Sequence, residues 1–221
     1  HSPYTLSLHD ALPICEFLGW PAETPLPAVS KPWFARPVPL RGARSALVIG
    51  GGLAGCTTAA SLAARGWNVS LLERHARLAE EASGNPQGVL YLKLSAHGTA
   101  LSQLILSGFG HTRRLLEHLH RGVDWDGCGV LQLAFNAKEA ERQAQLAAAF
   151  APGLLHQLDQ AQAQARAGVA LEHGGLFFPE GGWVHPPALC EWQARHPLIN
   201  VLTHHEALEL QRVDEIGRAH V

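Results

Sequence analysis

Short unbroken apolar runs alternate with helical stripes along the chain, and the pattern is sharpest from Ala46 to Glu73, ALVIGGGLAGCTTAASLAARGWNVSLLE. Ala46–Ile49 has the length and continuity of a buried parallel strand. It breaks at three glycines, and a helical segment follows with small or apolar residues at Ala59, Leu62 and Ala63. Gly66 suits a helix C′ position. Val69, Leu71 and Leu72 then make a second strand, with Glu73 at its end.

Further along, Arg77–Ala82 reads as a short helical turn, Ser83–Gly88 as a tight polar loop, and Val89–Leu94 as a strand or extended piece. Leu101, Leu104, Ile105, Phe109, Leu115, Leu116 and Leu119 mark one face of a helix over Thr99–His120. Asp126–Gly129 is a turn, and Val130–Phe135 a strand. Ala137–Phe150 and Leu154–Ala167 are two helices, the second stopping at Gly168. Gly174–Val184 gives short strands around a Pro-Glu-Gly-Gly turn. Pro186-Pro187 opens a helix through Leu189 and Trp192, and Asn200–Leu210 is a closing strand. A βαβ unit, an insert and a further strand predict an α/β sheet carrying a second subdomain.

The spacing Gly50, Gly52, Gly55 is G-x-G-x-x-G, set between a strand and a helix with an acidic residue after the next strand. Each residue type has a job in holding a dinucleotide. Gly50 permits the turn, Gly52 keeps the backbone bare for a pyrophosphate, and Gly55 lets helix and strand approach. The helix N-terminus offers unpaired N–H groups to the phosphates. Glu73 would accept from ribose hydroxyls and repel a 2′-phosphate, which disfavours NADP.

With 221 residues, 47% hydrophobic and 16% charged, the chain can bury a core. A net charge of -2 excludes a generally basic, nucleic-acid-coating protein. Cys15, Cys56, Cys128 and Cys190 are widely spaced and predict a reduced, cytoplasmic protein without a zinc pattern. His204-His205 point to opposite faces of a strand, and His111, His118 and His120 share no helical face with a carboxylate apart from Glu117, so no metal site is expected. No apolar run reaches the roughly 18 residues of a membrane span.

Thr5–Ile14 and Ile216–Val221, with Glu215, read as translated sequencing-adapter sequence and are set aside, so the chain is expected to be cut at both ends. Phe17–Gly42 is proline-rich, with Lys31, Arg36, Arg41 and Arg44 making its second half basic, as in an interdomain tether. Trp33 and Phe34 are candidates to pin it to the domain surface. The expected division is therefore 1–14 and 215–221 adapter-like, 15–44 linker, 45–98 nucleotide-binding, 99–199 helical and substrate-side, and 200–214 return strand.

The match through Gly50, Gly52, Gly55, Ala59, Leu62, Gly66, Val69 and Glu73 resembles the FAD-binding start of the glycine oxidase/D-amino-acid oxidase superfamily. PWFARP (32–37), ASGNPQGVLY (82–91), CGVLQLAF (128–135) and FPEGGWVHPPAL (178–189) narrow the likeness. They resemble the C-terminal oxidoreductase domain of the bifunctional family of tRNA 5-methylaminomethyl-2-thiouridine biosynthesis, over Pro32–Val213. Leu92 stands where that family's pattern has a proline, and its late FAD-binding segment would lie beyond Val213.

This resemblance implies a Rossmann-like FAD-binding domain of the D-amino-acid oxidase type with a partial, truncated α+β substrate subdomain. It implies FAD as cofactor and oxidative removal of the carboxymethyl group from a carboxymethylaminomethyl wobble uridine of tRNA. A SAM-dependent methyltransferase domain would stand upstream. FAD would lie on Gly50, Gly52, Leu53, Ala54 and Gly55, with Glu73 and Arg74 at the adenosine ribose. Ser83, Asn85, Gln87 and Gly88 would line the flavin side, with the adenine near Ala207. No catalytic residue is assigned, because the chemistry resides in the flavin. Phe178–His185 is a candidate wall of the substrate region. A small-molecule amine oxidase and a non-catalytic nucleotide-binding fragment remain open alternatives.

Overall fold

The computed structural model describes residues 42–213 and 216–220, of which those from Ala43 onward belong to one compact unit. The first adapter-like stretch and nearly all of the proline-rich tether, with Trp33 and Phe34, lie outside the described residues. In chain order the first half holds β1 (Ser45–Ile49), α1 (Leu53–Ala63), β2 (Asn68–Leu72), β3 (Gly88–Leu90), α2 (Ala100–Leu116), β4 (Trp125–Asp126), β5 (Val130–Leu133) and α3 (Ala137–Ala149). Then follow β6 (His156–Leu158), α4 (Gln160–Ala167), β7 (Gly175–Phe178), β8 (Gly182–Val184), α5 (Pro186–Ala194), β9 (Ile199–Leu202), β10 (Glu209–Val213) and β11 (Ile216–His220).

The βαβ reading holds: β1 and β2 pair in parallel, Ala46 opposite Val69 and Ile49 opposite Leu72. β9 joins the other side of β2 in parallel, Leu71 opposite Val201, giving the order β1-β2-β9. Helices cover one face of these strands: β2 buries Val69, Leu71 and Leu72, whereas Leu47 and Ile49 of β1, expected in a buried strand, stay exposed. Cys56, Ala59 and Ala63 of α1 are buried on Val69 and Leu71, with Cys190 and Ala194 of α5 packed against the same helix. Small side chains let the two helices lie close, and Thr57 Oγ1 donates to Gln193 Oε1 across the contact. The prolines at the start of α5 sit in its first turn, as read. Each fully buried Leu contributes about 1.5–3 kcal/mol, and Leu71 and Leu72 are essentially inaccessible.

Two three-stranded antiparallel sheets, ordered β3-β8-β4 and β5-β7-β6, and the pair β10-β11 carry the rest. β7 and β8 flank the Pro-Glu-Gly-Gly turn as expected, yet they pair with different sheets and not with each other. α2 starts at Thr99, whose hydroxyl accepts from Ser102 N, and α3 starts at Asn136, whose carbonyl accepts from Glu139 N.

Four expectations change. Leu154–Ala167 is not one helix: His156–Leu158 is a strand on β7, and the helix begins only after Asp159. Asp159 and Gln162 form a reciprocal capping box that sets this start, and Gly168 at φ +71 ends the helix. Arg77–Ala82 makes no helix, because Ala79 takes φ +60 and gives its N–H to Gly51 O at 3.0 Å. The Val89–Leu94 strand shortens to Gly88–Leu90, with Leu92 and Leu94 buried in one cluster with Leu176 and Phe178 of β7. The Asn200–Leu210 strand ends at Leu202, breaks at His204 with φ +58, and resumes at Glu209. β10 pairs with β11, so the stretch 216–220, set aside in reading the fold, is drawn as a strand. Among the described residues no helix is long and apolar enough to cross a membrane.

Candidate functional site

The site lies where the chain leaves the carboxyl ends of β1, β2 and β9, the end at which open α/β sheets bind ligands. Gly50 turns out of β1 at φ +96, a region costly for any other residue, while its N–H still donates to Leu72 O at 2.8 Å. Gly55 lies so close beneath that a Cβ there would stand 1.8 Å from Gly50 O. α1 can therefore start directly under the turn only with glycine at 55. A Cβ on Gly52 would meet Ser83 Oγ at 3.0 Å.

The Gly51 peptide group is held from both sides. Its N–H donates to Glu73 Oε2 at 2.8 Å. Its carbonyl accepts from Ala79 N at 3.0 Å and from Cys56 Sγ at 3.3 Å. Glu73 is 7% exposed, and its Oε1 accepts from His75 N at 2.9 Å. A buried carboxylate that takes two backbone N–H groups is fixed in place and keeps lone pairs for a further donor. Leu53 N, at the start of α1, donates to Ser83 Oγ at 3.0 Å.

Residues 74–83 form a strap beside this turn. Arg74 pairs with Glu81 and lies 3.8 Å from Glu206, while His75 Nε2 lies 2.9 Å from Glu81. The Arg74 guanidinium, followed by His75, holds the Glu81 carboxyl below the usual glutamate range. The hydrogen bond to Glu81 raises Arg74 in return. Between strap, turn and the loop after β9 is a cavity of about 370 Å³, lined by Gly50, Gly51, Gly52, Glu73, Arg74, Ser83, His205, Glu206 and Ala207 among others. That volume is in the range of small-molecule sites.

The sequence-based site is thus partly gathered. Gly50, Gly52, Glu73, Arg74, Ser83 and Ala207 line one cavity, with Leu53, Ala54 and Gly55 in the first turn of α1 beneath it. Asn85 and Gln87 are exposed in the segment leading to β3, and Gly88 stands opposite Val184 within the second sheet. These three are not on the cavity wall, nor is Phe178–His185. The sequence reading missed Cys56, Ala79, Glu80, Glu81, His205 and Glu206. Cys56 was traceable in part, since it follows Gly55 one turn into the helix. The strap residues carried no motif.

The donor set fits a dinucleotide diphosphate. Gly52 N–H makes no hydrogen bond among the described residues, the first turn of a helix has no internal acceptors for its N–H groups, backbone excludes a side chain at 55, and one at 52 would press on Ser83 Oγ. Glu73 stands just past the carboxyl end of β2, with one of its oxygens on the Gly51 N–H of the turn.

The family described as "FAD dependent oxidoreductase" matches residues 45–221. The chain is 80% identical over 204 residues to the tRNA 5-methylaminomethyl-2-thiouridine biosynthesis bifunctional protein MnmC of Pseudomonas fluorescens Pf-5, covering 92% of this chain and 31% of the relative. Identity to the protein of the same description from Pseudomonas putida KT2440 is 70% over 195 residues, 88% of this chain and 30% of the relative. The chain thus spans about a third of the length of these curated relatives. Among solved structures, glycine oxidase from Bacillus cereus ATCC 14579 superposes with a TM-score of 0.62 at 22% identity, over 78% of this chain and 50% of that one. Fructosamine oxidase from Aspergillus fumigatus gives 0.62 at 19%, over 82% and 45%.

Proposed function

For a chain that belongs to the FAD-dependent oxidoreductase family, we propose the role of cofactor-holding segment in an enzyme that oxidises a C–N bond on a tRNA wobble uridine. The substrate is the carboxymethylaminomethyl base. The bond from nitrogen to the carboxymethyl carbon would be oxidised to an imine, its two electrons going to the flavin, and water would hydrolyse the imine to the aminomethyl base and glyoxylate. The observation that carries the reading is the glycine turn clamped to Glu73 beside an open Gly52 N–H, in a chain 80% identical to a relative named for this tRNA pathway.

FAD, when bound, supplies the two-electron acceptor. The residues of this chain bind and orient it. Gly52 N–H and the first turn of α1 take the diphosphate, Glu73 the adenosine ribose, and Arg74 with the strap closes the adenosine end. Ser83 Oγ sits at the mouth of α1, where it can add a donor to a phosphate oxygen. Asn85, Gln87 and Gly88 continue from Ser83 toward the flavin ring. The word bifunctional in the relatives' description, and the third of their length covered here, support a methyltransferase partner domain upstream and tRNA as the shared substrate.

The test is a graft. Residues 45–213 replace the matching segment of the Pf-5 relative, and the purified product is given carboxymethylaminomethyl tRNA, glycine and sarcosine in turn. Conversion of the tRNA with bound flavin is expected. Turnover of the free amines with no tRNA product would move the assignment to a small-molecule amine oxidase.

A further inference from the structure

We propose that Cys56 is a positioning residue for the dinucleotide diphosphate: its thiol grips the Gly51 carbonyl and so turns the Gly52 N–H toward the phosphates. The proposal rests on the FAD reading of the cavity. A trans peptide unit points its C=O and N–H in opposite directions. The unit joining Gly51 to Gly52 has its oxygen held on the inner side by Cys56 Sγ at 3.3 Å and Ala79 N at 3.0 Å. The Gly52 N–H therefore faces the other way, and it makes no hydrogen bond among the described residues. Gly52 lines the cavity.

Neither glycine has a side chain with which to set its own peptide plane. Something outside the turn must do so, and two groups do. One is the backbone N–H of Ala79, carried into place by a residue at φ +60. The other is Cys56, completely buried between α1, β2 and α5. Cys190, also completely buried, packs on it from α5. Hydrogen bonding between the two thiols, followed by burial, pushes the Cys56 thiol far above its usual range, so it keeps its proton. The retained Cys56 proton has Gly51 O within hydrogen-bond reach. A buried, protonated thiol is a poor nucleophile, which suits a hydrogen-bond donor and not a reactive group.

The test compares Cys56→Ala, Cys56→Ser and Cys190→Ala, each in the 221-residue chain and in the Pf-5 graft, by FAD dissociation constant and by melting temperature of the flavin-free protein. Loss of one modest hydrogen bond predicts that Cys56→Ala weakens FAD roughly three- to tenfold. Cys56→Ser, which keeps a donor on the same carbon, should bind FAD within about twofold of the parent. Cys190→Ala removes a sulfur from the same core without touching Gly51, so it should lower the melting temperature and leave FAD affinity nearly unchanged.

FAD bound as tightly by Cys56→Ala as by the parent, or as weakly by Cys56→Ser as by Cys56→Ala, overturns the positioning role and leaves the FAD reading standing. No FAD binding by either parent protein overturns both. Should Cys56→Ala not fold, the S–H infrared stretch of the parent decides: a band lowered by hydrogen bonding that disappears in Cys56→Ser supports the grip, and a Cys56 band at the free-thiol position overturns it.

Discussion

At the scale of single residues, the site depends on groups whose neighbours leave no room for a substitute. Glu73 is the clearest case. Removing its carboxylate strands the Gly51 and His75 N–H groups in a buried setting, so Glu73→Ala should cost about 1–3 kcal/mol and abolish tight FAD binding. For a unit of this size that is a fall of about 2–4 °C in melting temperature per kcal/mol, measurable by calorimetry with and without FAD. Gly55→Ala puts a methyl 1.8 Å from Gly50 O. Neither a backbone carbonyl nor the start of α1 can yield cheaply, and we expect little folded protein, read out by circular dichroism. These two residues were legible in the sequence because the G-x-G-x-x-G spacing and a strand-end acid are each tied to one backbone geometry. Ala79 was not, and Cys56 only in part, by its place after Gly55. What they hold is a carbonyl of the same turn, and a residue that serves a backbone atom leaves no pattern of its own.

Among secondary-structure elements, periodicity worked wherever burial set the pattern and failed where a local cap or a long-range hydrogen bond overrode it. α1, β2, α3 and α5 follow their apolar spacing closely, while Leu47 and Ile49 of β1 and Leu101 and Leu104 of the expected α2 face stay exposed. The segment 154–167 did not, because His156–Leu158 is too short to show an alternation and the capping box at Asp159 starts the helix late. Asp159→Ala should therefore destabilise α4 by about 1 kcal/mol, seen as faster amide exchange over 160–167 with FAD affinity unchanged.

The strap is a second case. It is held by Glu81 to Arg74 and His75 and not by helix formation. Because Glu81 has a folded-state value below its unfolded one, its contribution is full above the ordinary glutamate range. That contribution is lost as pH falls through the depressed value. FAD release should therefore speed up on acidification into and below that range. Glu81→Gln should release FAD faster at neutral pH and lose most of this acid response, which stopped-flow flavin fluorescence would detect. Both side chains are largely exposed, so the effect belongs to the strap and not to global stability.

For the whole molecule, the arrangement of the parts decides which ligand the chain can select. The cavity is built from three separated stretches, the turn after β1, the strap after β2 and the loop after β9. They meet only because three parallel strands end at one edge. In the proposed placement all three contribute at the adenosine and diphosphate end, while Asn85, Gln87 and Gly88, the expected flavin-side residues, lie along the way out to the sheet of β3 and β8. Recognition by this chain is therefore expected to be recognition of the adenosine diphosphate half. A ligand that binds only the native state raises its stability by RT ln(1 + [L]/Kd). FAD and ADP should both raise the melting temperature, FAD more. FMN, which has the flavin and one phosphate but no adenosine, should leave it nearly unchanged. Protection by FMN equal to that by FAD would place recognition at the flavin ring and remove Glu73 from its role at the ribose. Protection by ADP that disappears in Glu73→Ala would tie that role to the carboxylate which the sequence marks at the end of β2.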